Sequence, residues 1–264
     1  MDYMILFYMY IKSQIKSNSV YRFNFIASSF GALFLYCSQY LPLWTILHFF
    51  GTINGWNIYE VSLLYGFWLF TYGFQLIFCA GIRDFRRLVH TGDLDIYLLR
   101  PNNVLFQVIC GKSDLTAWVH TLIGATTIFL SSKEVVTWSL IKFIQLSEFL
   151  LAGAIIQAGL LILWATMVFW MINNNSLTFM GWTLSVNYMT FPLSAYDFSL
   201  HVFFTIVPMA FITYYPVGVL IEKFPQESLS YILGNCSLIV SIIFFVVVYR
   251  FWKFGLKNYQ GTGN

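Results

Sequence analysis

The histidines, cysteines, carboxylates and one Gly-Lys-Ser triplet are the residues here that can do chemistry, and their spacing supports little of it. His48, His90, His120 and His201 form no HxxxH or HExxH pair, so no metal centre is expected. Cys37, Cys79, Cys110 and Cys236 stand apart without a CxxC, which removes thiol redox and zinc-ribbon chemistry. Glu60, Asp114, Glu148 and Asp197 fall at the ends of apolar runs, and no carboxylate lies mid-run, where a proton-coupled carrier places one. Gly111-Lys112-Ser113 looks like the end of a phosphate-binding loop, but the glycine that such a loop needs five residues earlier is Phe106. The triplet also opens an apolar run instead of following a strand. The reading is therefore no catalytic residue, no metal and no cofactor in this chain, with any ATP held by another one.

What remains is one charged stretch, 83–112. It carries Arg83, Arg86, Arg87, Arg100 and Lys112, five of the 14 Lys and Arg residues. Gly92 can interrupt one helix and Asp93 can cap the next. Pro101 disfavours helical geometry at Arg100, so the new helix runs no further than about Leu99. Over 93–100, Leu94, Tyr97 and Leu98 share a face, with Asp93, Asp95 and Arg100 around it. Such a helix suits the groove of a partner protein. The plainer alternative is a basic loop that holds lipid headgroups.

The elements that must position this stretch follow from composition. The 264 residues are 59% hydrophobic and only 9% charged, with a mean hydropathy of +0.71. A soluble domain carries about 25% charged residues. The chain is read as an integral, all-α membrane protein with a single membrane domain over 1–264 and no nucleic-acid partner. Nine Trp and 17 Tyr fit interfacial belts.

No Lys, Arg, Asp or Glu occurs in 23–59, 61–82, 115–132, 149–196, 198–221 or 228–249. A spanning helix needs about 20 apolar residues. The long run 149–196 divides at Asn173-Asn174-Asn175. Spans are thus predicted near 24–49, 58–82, 113–132, 146–172, 176–195 and 229–252. Lys12, Lys16 and Arg22, the five basic residues of 83–112, and Arg250, Lys253 and Lys257 together make 11 of the 14, and the positive-inside rule puts them on the cytoplasmic side. Lys133, Lys142 and Lys223 fall outside this set. Parity then makes 198–221 a segment that enters from outside and returns, since a full crossing would turn the basic C-terminus outward. Pro208 and Pro216 in it interrupt helical hydrogen bonding, and broken backbone at membrane depth must be buried in protein or line a wet cavity. The expectation is six transmembrane helices and a re-entrant pair of outer half-helices.

Met4, Tyr8, Ile11 and Ile15 form a stripe opposite Lys12 and Lys16, which suits a helix over 1–20 lying in the cytoplasmic interface. A frayed extension of the first span is the alternative. Inside the spans, Tyr72, Gln75, Asn187 and Tyr188 are the candidates for lining a pathway; helix–helix hydrogen bonds are the plainer use of each.

Three stretches, in order, resemble the permeases of the type 2 ABC exporter class, and among them the small six-helix bacterial branch without a fused ATPase. TGDLDIYLLRP (91–101) resembles that family's G-x-L-D…LLRP segment. FPLSAYDFSLHVFFTIVPMAFITYYPVGVLI (191–221) resembles its Phe-Pro, Val-Pro, Tyr-Pro succession. GLKNYQGTGN (255–264) resembles its closing G-L-x-x-Y…G tail, with Gln260-Gly261 where the family has two small residues. The resemblance implies a multi-pass protein of the bacterial inner membrane that works as a homodimer or heterodimer. Each copy would be bound to a cytosolic ATP-binding cassette subunit that holds the ATP and Mg. It further implies ATPase contact through 1–20 and 83–101, including Arg86 and Arg87, and an outer gate at 198–221 around Pro208 and Pro216.

Two other classes compete. An intramembrane enzyme needs a reactive constellation, which is missing. A channel-like or binding protein without ATP coupling needs no docking helix. The cargo is hydrophobic or amphipathic: lipids, peptides and hydrophobic drugs all suit the apolar spans.

Overall fold

A computed structural model of the chain describes residues 22–112, 114, 116–171 and 175–259. The segment 1–20, expected to be an interfacial helix, lies outside the described residues, as does the end of the tail. Among the described residues the fold is all helical. In chain order the helices are α1 (Arg22–Phe50), α2 (Ile58–Cys79), α3 (Phe85–His90), α4 (Leu94–Leu98), α5 (Val104–Cys110), α6 (Thr116–Val135), α7 (Leu140–Thr166), α8 (Asn175–Met189), α9 (Phe198–Ile206), α10 (Tyr214–Leu220), α11 (Leu229–Asn235) and α12 (Ser237–Lys257).

Among the described residues, four helices are long and apolar enough to cross a membrane: Phe25–Phe50, Ile58–His90, Leu140–Phe169 and Ser237–Lys257, the second and third counted through 3-10 turns. The other two expected spans are present as shorter or more polar helices. α6 carries Lys133 and Glu134 in its last turn, and the 15 residues of α8 reach only about 22 Å at 1.5 Å per residue. α9 and the stretch Met209–Leu220 form a pair bent by 78°.

Local chemistry sets the helix starts. Asn57 accepts from the backbone N–H of Tyr59 and Glu60, while the Glu60 carboxylate accepts from Asn57 N–H at 2.8 Å, a reciprocal cap on α2. Ser139, Asn103 and Ser228 cap α7, α5 and α11 through their side-chain oxygens.

α2 is the central helix and packs most closely on α6. A Cβ at Gly73 would collide with Thr121, and one at Gly124 with the backbone of Phe70. Small residues bring helix backbones together where burial from water supplies no drive. The buried core runs from Leu63, Phe67 and Trp68 of α2 through Phe149 and Ile156 of α7 to Phe204, Met209 and Tyr215.

The bent pair begins and ends at one end of the bundle. The Asn54 amide donates to the Ser194 carbonyl just before it, and Lys223 just after it donates to the Gly55 carbonyl at 2.7 Å. Its tip is deep. The Ile212 carbonyl lies against Gly153 of α7, beside Thr71 of α2. Each is 13 residues into its helix, roughly 20 Å from that end. Thr213 donates to the Met189 carbonyl at 2.8 Å, which satisfies broken backbone with protein. Tyr215 binds the two arms together through His201 Nε2 (3.2 Å) and Thr205 Oγ1 (2.9 Å).

The two prolines do different things. Pro208 sits at the bend, as expected. Pro216 does not interrupt a helix: it occupies the first turn of α10, where an N–H has no helical partner to lose.

Candidate functional site

The charged stretch is a folded platform at the opposite end of the bundle. Its own core holds Ile82, Phe85, Leu88, Val89, Leu94, Leu105 and Val108, together with Ile162, Ala165 and Val168 after mid-α7 and Val248 and Trp252 of α12. The Phe85 ring lies between Trp252 (4.5 Å) and Phe169 (5.4 Å). Asn103 donates to the Tyr249 hydroxyl at 2.7 Å, a second tie to α12. Gly92 separates α3 from α4 with a φ of +76°, a conformation costly for a side chain with a Cβ.

This packing corrects the docking face expected over 93–100. The helix covers Leu94–Leu98 only. Leu94 is 0% exposed and belongs to the chain's own core, so it anchors the segment and cannot enter a partner's groove. Tyr97 is half-buried, with the Arg100 guanidinium over its ring at 5.6 Å. Asp93 caps nothing with its side chain; it accepts from Thr91 Oγ1 and pairs with Arg87 at 3.6 Å. Beyond Leu94, the residues Ile96 (52% exposed), Leu98 (43%) and Leu99 (87%) stand outward. Asp95, Arg87 and Arg100 are exposed around them, and Arg86 is half-buried. Periodicity finds the apolar face but not which protein it faces. Ile96 and Leu99 are exposed apolar residues that the periodicity did not single out.

Above the platform lies a cavity of about 430 Å³ between α2, α7 and α8, lined among others by Tyr72, Gln75, Gln157, Trp164, Trp182 and Arg83. Two of the four predicted lining residues are in it. Asn187 and Tyr188 are not. The Asn187 carbonyl accepts from Tyr196 Oη, and the Tyr188 ring packs on Tyr196 and Phe204. The Arg83 guanidinium donates to Tyr72 Oη at 2.5 Å and to Asp114 at 3.2 Å. Tyr72 stacks between Trp68 (5.6 Å) and His120 (5.8 Å). Gln157 Nε2 donates to the Trp68 carbonyl and Thr71 Oγ1. Sequence reasoning passed over Arg83 as one more basic residue of the stretch, and over Gln157 entirely.

At the other end, Glu222 and Lys223 follow the bent pair. Glu222, at a φ of +57°, pairs with Lys142 of α7 at 2.6 Å. Lys223 pairs with Glu60 of α2 at 2.9 Å. Sequence reading left Glu60 as a helix-end charge and Lys142 and Lys223 as exceptions to the basic asymmetry. Lone opposite charges on one side were the signal that could have joined them.

Among the described residues no group of three His, Cys, Asp or Glu side chains could hold a metal ion. The Cys110 thiol, 6% exposed, is pushed up to about 11 by burial, and so is a poor nucleophile at neutral pH.

No curated protein and no solved structure is significantly similar to the chain. The sequence model described as the ABC-2 family transporter protein matches residues 33–263, which takes in the platform, the cavity and the bent pair. This multi-pass membrane chain, a transport component, belongs to the ABC-2 transporter family.

Proposed function

We propose that the chain is the permease subunit of an ABC exporter, driven by a separate cytosolic ATPase that holds the ATP and Mg. A second permease copy or a paralogue completes the dimer. It moves a hydrophobic or amphipathic substrate outward across the bacterial inner membrane. The observation that carries this reading, beside the family match, is the construction of the platform. A partner seated on Ile96, Leu98 and Leu99 pushes a unit whose core includes Ile162 and Val168 of the α7 region and Val248 and Trp252 of α12. A loop that only touched headgroups would need no such core. Arg86, Arg87, Asp93, Asp95, Tyr97 and Arg100 surround the contact and set its orientation.

Six crossings fit the same picture. α9 and α10 enter beside residues 54–60 and return to them, so they act as a re-entrant outer plug, with Pro208 at its bend. Tyr72 and Gln75 line the intake on the cytoplasmic side.

The test is reconstitution. Vesicles holding the chain with its cognate ATPase should accumulate substrate only with hydrolysable ATP. The purified chain alone should neither bind nor hydrolyse ATP. Specific ATP binding by the isolated chain, or substrate flux without an ATPase, would overturn the assignment in favour of an ATP-independent channel.

A further inference from the structure

The cavity between α2, α7 and α8 is chemically lopsided. Leu76, Leu160, Leu161, Trp164, Phe179 and Trp182 give it an apolar, aromatic wall. Its polar side chains are Tyr72, Gln75, Gln157, Ser185 and Arg83, and Arg83 is the one charged group among them. Gln75 is 4% exposed, and its Nε2 has no hydrogen-bond partner among the described residues. A buried unpartnered donor is costly unless something fills the need. Arg83 stands at the mouth, 37% exposed in its side chain. Tyr72 and Asp114 hold it through two of its five N–H groups. Ser185 turns its hydroxyl away, donating to the Gly181 carbonyl at 3.0 Å. No Asp or Glu stands among the described lining residues. The volume lies within the roughly 300–1,000 Å³ of small-molecule pockets.

We infer that this cavity binds a compact amphiphile with an acidic head. The head, a carboxylate, sulfonate or phosphate, meets Arg83 and Gln75 Nε2, and the apolar body lies against Trp164, Phe179 and Trp182. This deepens the permease reading, on which it rests, by naming the substrate class of its intake. The aromatic wall alone would also take a cation, but a cation there would face Arg83 with no carboxylate on the wall to answer it.

The test uses the purified full chain in phosphatidylcholine nanodiscs, without ATPase or ATP, and three fluorescent probes read against empty discs. They are anilinonaphthalene sulfonate (acidic), N-phenylnaphthylamine (neutral) and rhodamine 6G (cationic). The sulfonate should bind saturably and at least roughly tenfold more tightly than its neutral analogue, the scale of one charge-assisted hydrogen-bond set. Arg83→Gln should remove about that factor for the sulfonate and leave the neutral probe unchanged. Gln75→Leu, which keeps Arg83 and its partners, should weaken the sulfonate several-fold and serves if the arginine variant misfolds. Ser185→Phe should fill the space and abolish both. Adding phosphatidylglycerol assigns the source of the head. Arg83-dependent displacement of the sulfonate makes the ligand a bilayer lipid, and retention makes it a free acid. Tighter binding of rhodamine 6G than of the sulfonate, or sulfonate binding indifferent to both Arg83→Gln and Gln75→Leu, would overturn the inference. Since no ATPase is present, such a failure leaves the permease assignment standing, and failure of ATP-driven transport leaves the binding result standing.

Discussion

Lys223 places its ammonium 2.9 Å from both carboxylate oxygens of Glu60, and Glu60 Oε2 also accepts from the backbone N–H of Asn57. One carboxylate thus caps α2 and fastens the chain that leaves the bent pair. The Glu60 side chain is 11% exposed and Lys223 30%, so water screens this pair less than a surface bridge. Removing one partner strands the other charge.

Lys223→Met should therefore cost about 1–3 kcal/mol of stability, between the values for exposed and fully buried pairs. Glu60→Gln should cost less, because glutamine keeps the reciprocal cap. The double variant should lose no more than the worse single one, since both remove the same interaction. Thermal unfolding of the four proteins in one detergent checks this, and full additivity would show that the pair is not coupled.

On the platform, buried and exposed leucines should part company. Leu94→Ala leaves a hole in a closed core and should cost about 2–5 kcal/mol, seen as lower yield and melting temperature of the permease itself. Ile96→Ala with Leu99→Ala removes exposed apolar anchors and should leave the fold stable. Each such anchor is worth roughly 2 kcal/mol or more of binding when truncated, so the ATPase should fail to co-purify. Normal ATPase recovery and transport with the double variant would return the segment to a headgroup-binding role.

Membrane sidedness is checked with single introduced cysteines. Glu227→Cys should label from outside intact cells, and Asn258→Cys only after permeabilisation. Outside labelling of position 258 would make the bent pair a full crossing and remove the plug.

The native Cys110 should not interfere with that labelling. With its thiol pushed up to about 11 by burial, roughly one molecule in a thousand carries the reactive thiolate at pH 8. Its maleimide reaction should be slow at pH 7 and should quicken steadily as pH rises towards 11, while an exposed cysteine levels off near its ordinary value of about 8.5. A Cys110 rate that saturates below pH 9 would mean that the thiol is open to water.

The residue order alone determined the membrane class, the all-helical make-up and the punctuation of the chain, because these follow from short-range properties. Runs without charge mark the apolar helices, Gly92 and Pro101 bracket α4, and Pro208 marks the bend. The same locality explains what it could not determine. Leu94 and Leu99 are equally apolar and five residues apart, yet one is sealed in the platform's core and the other stands 87% exposed. Pro208 and Pro216 look alike until their helical registers are known. Glu60 meets Lys223 across 163 positions, and Arg83 meets Asp114 across 31. Such pairings depend on how α2 seats against α6, α7 and the bent pair, and packing of that kind is a property of the assembled bundle that no single segment carries.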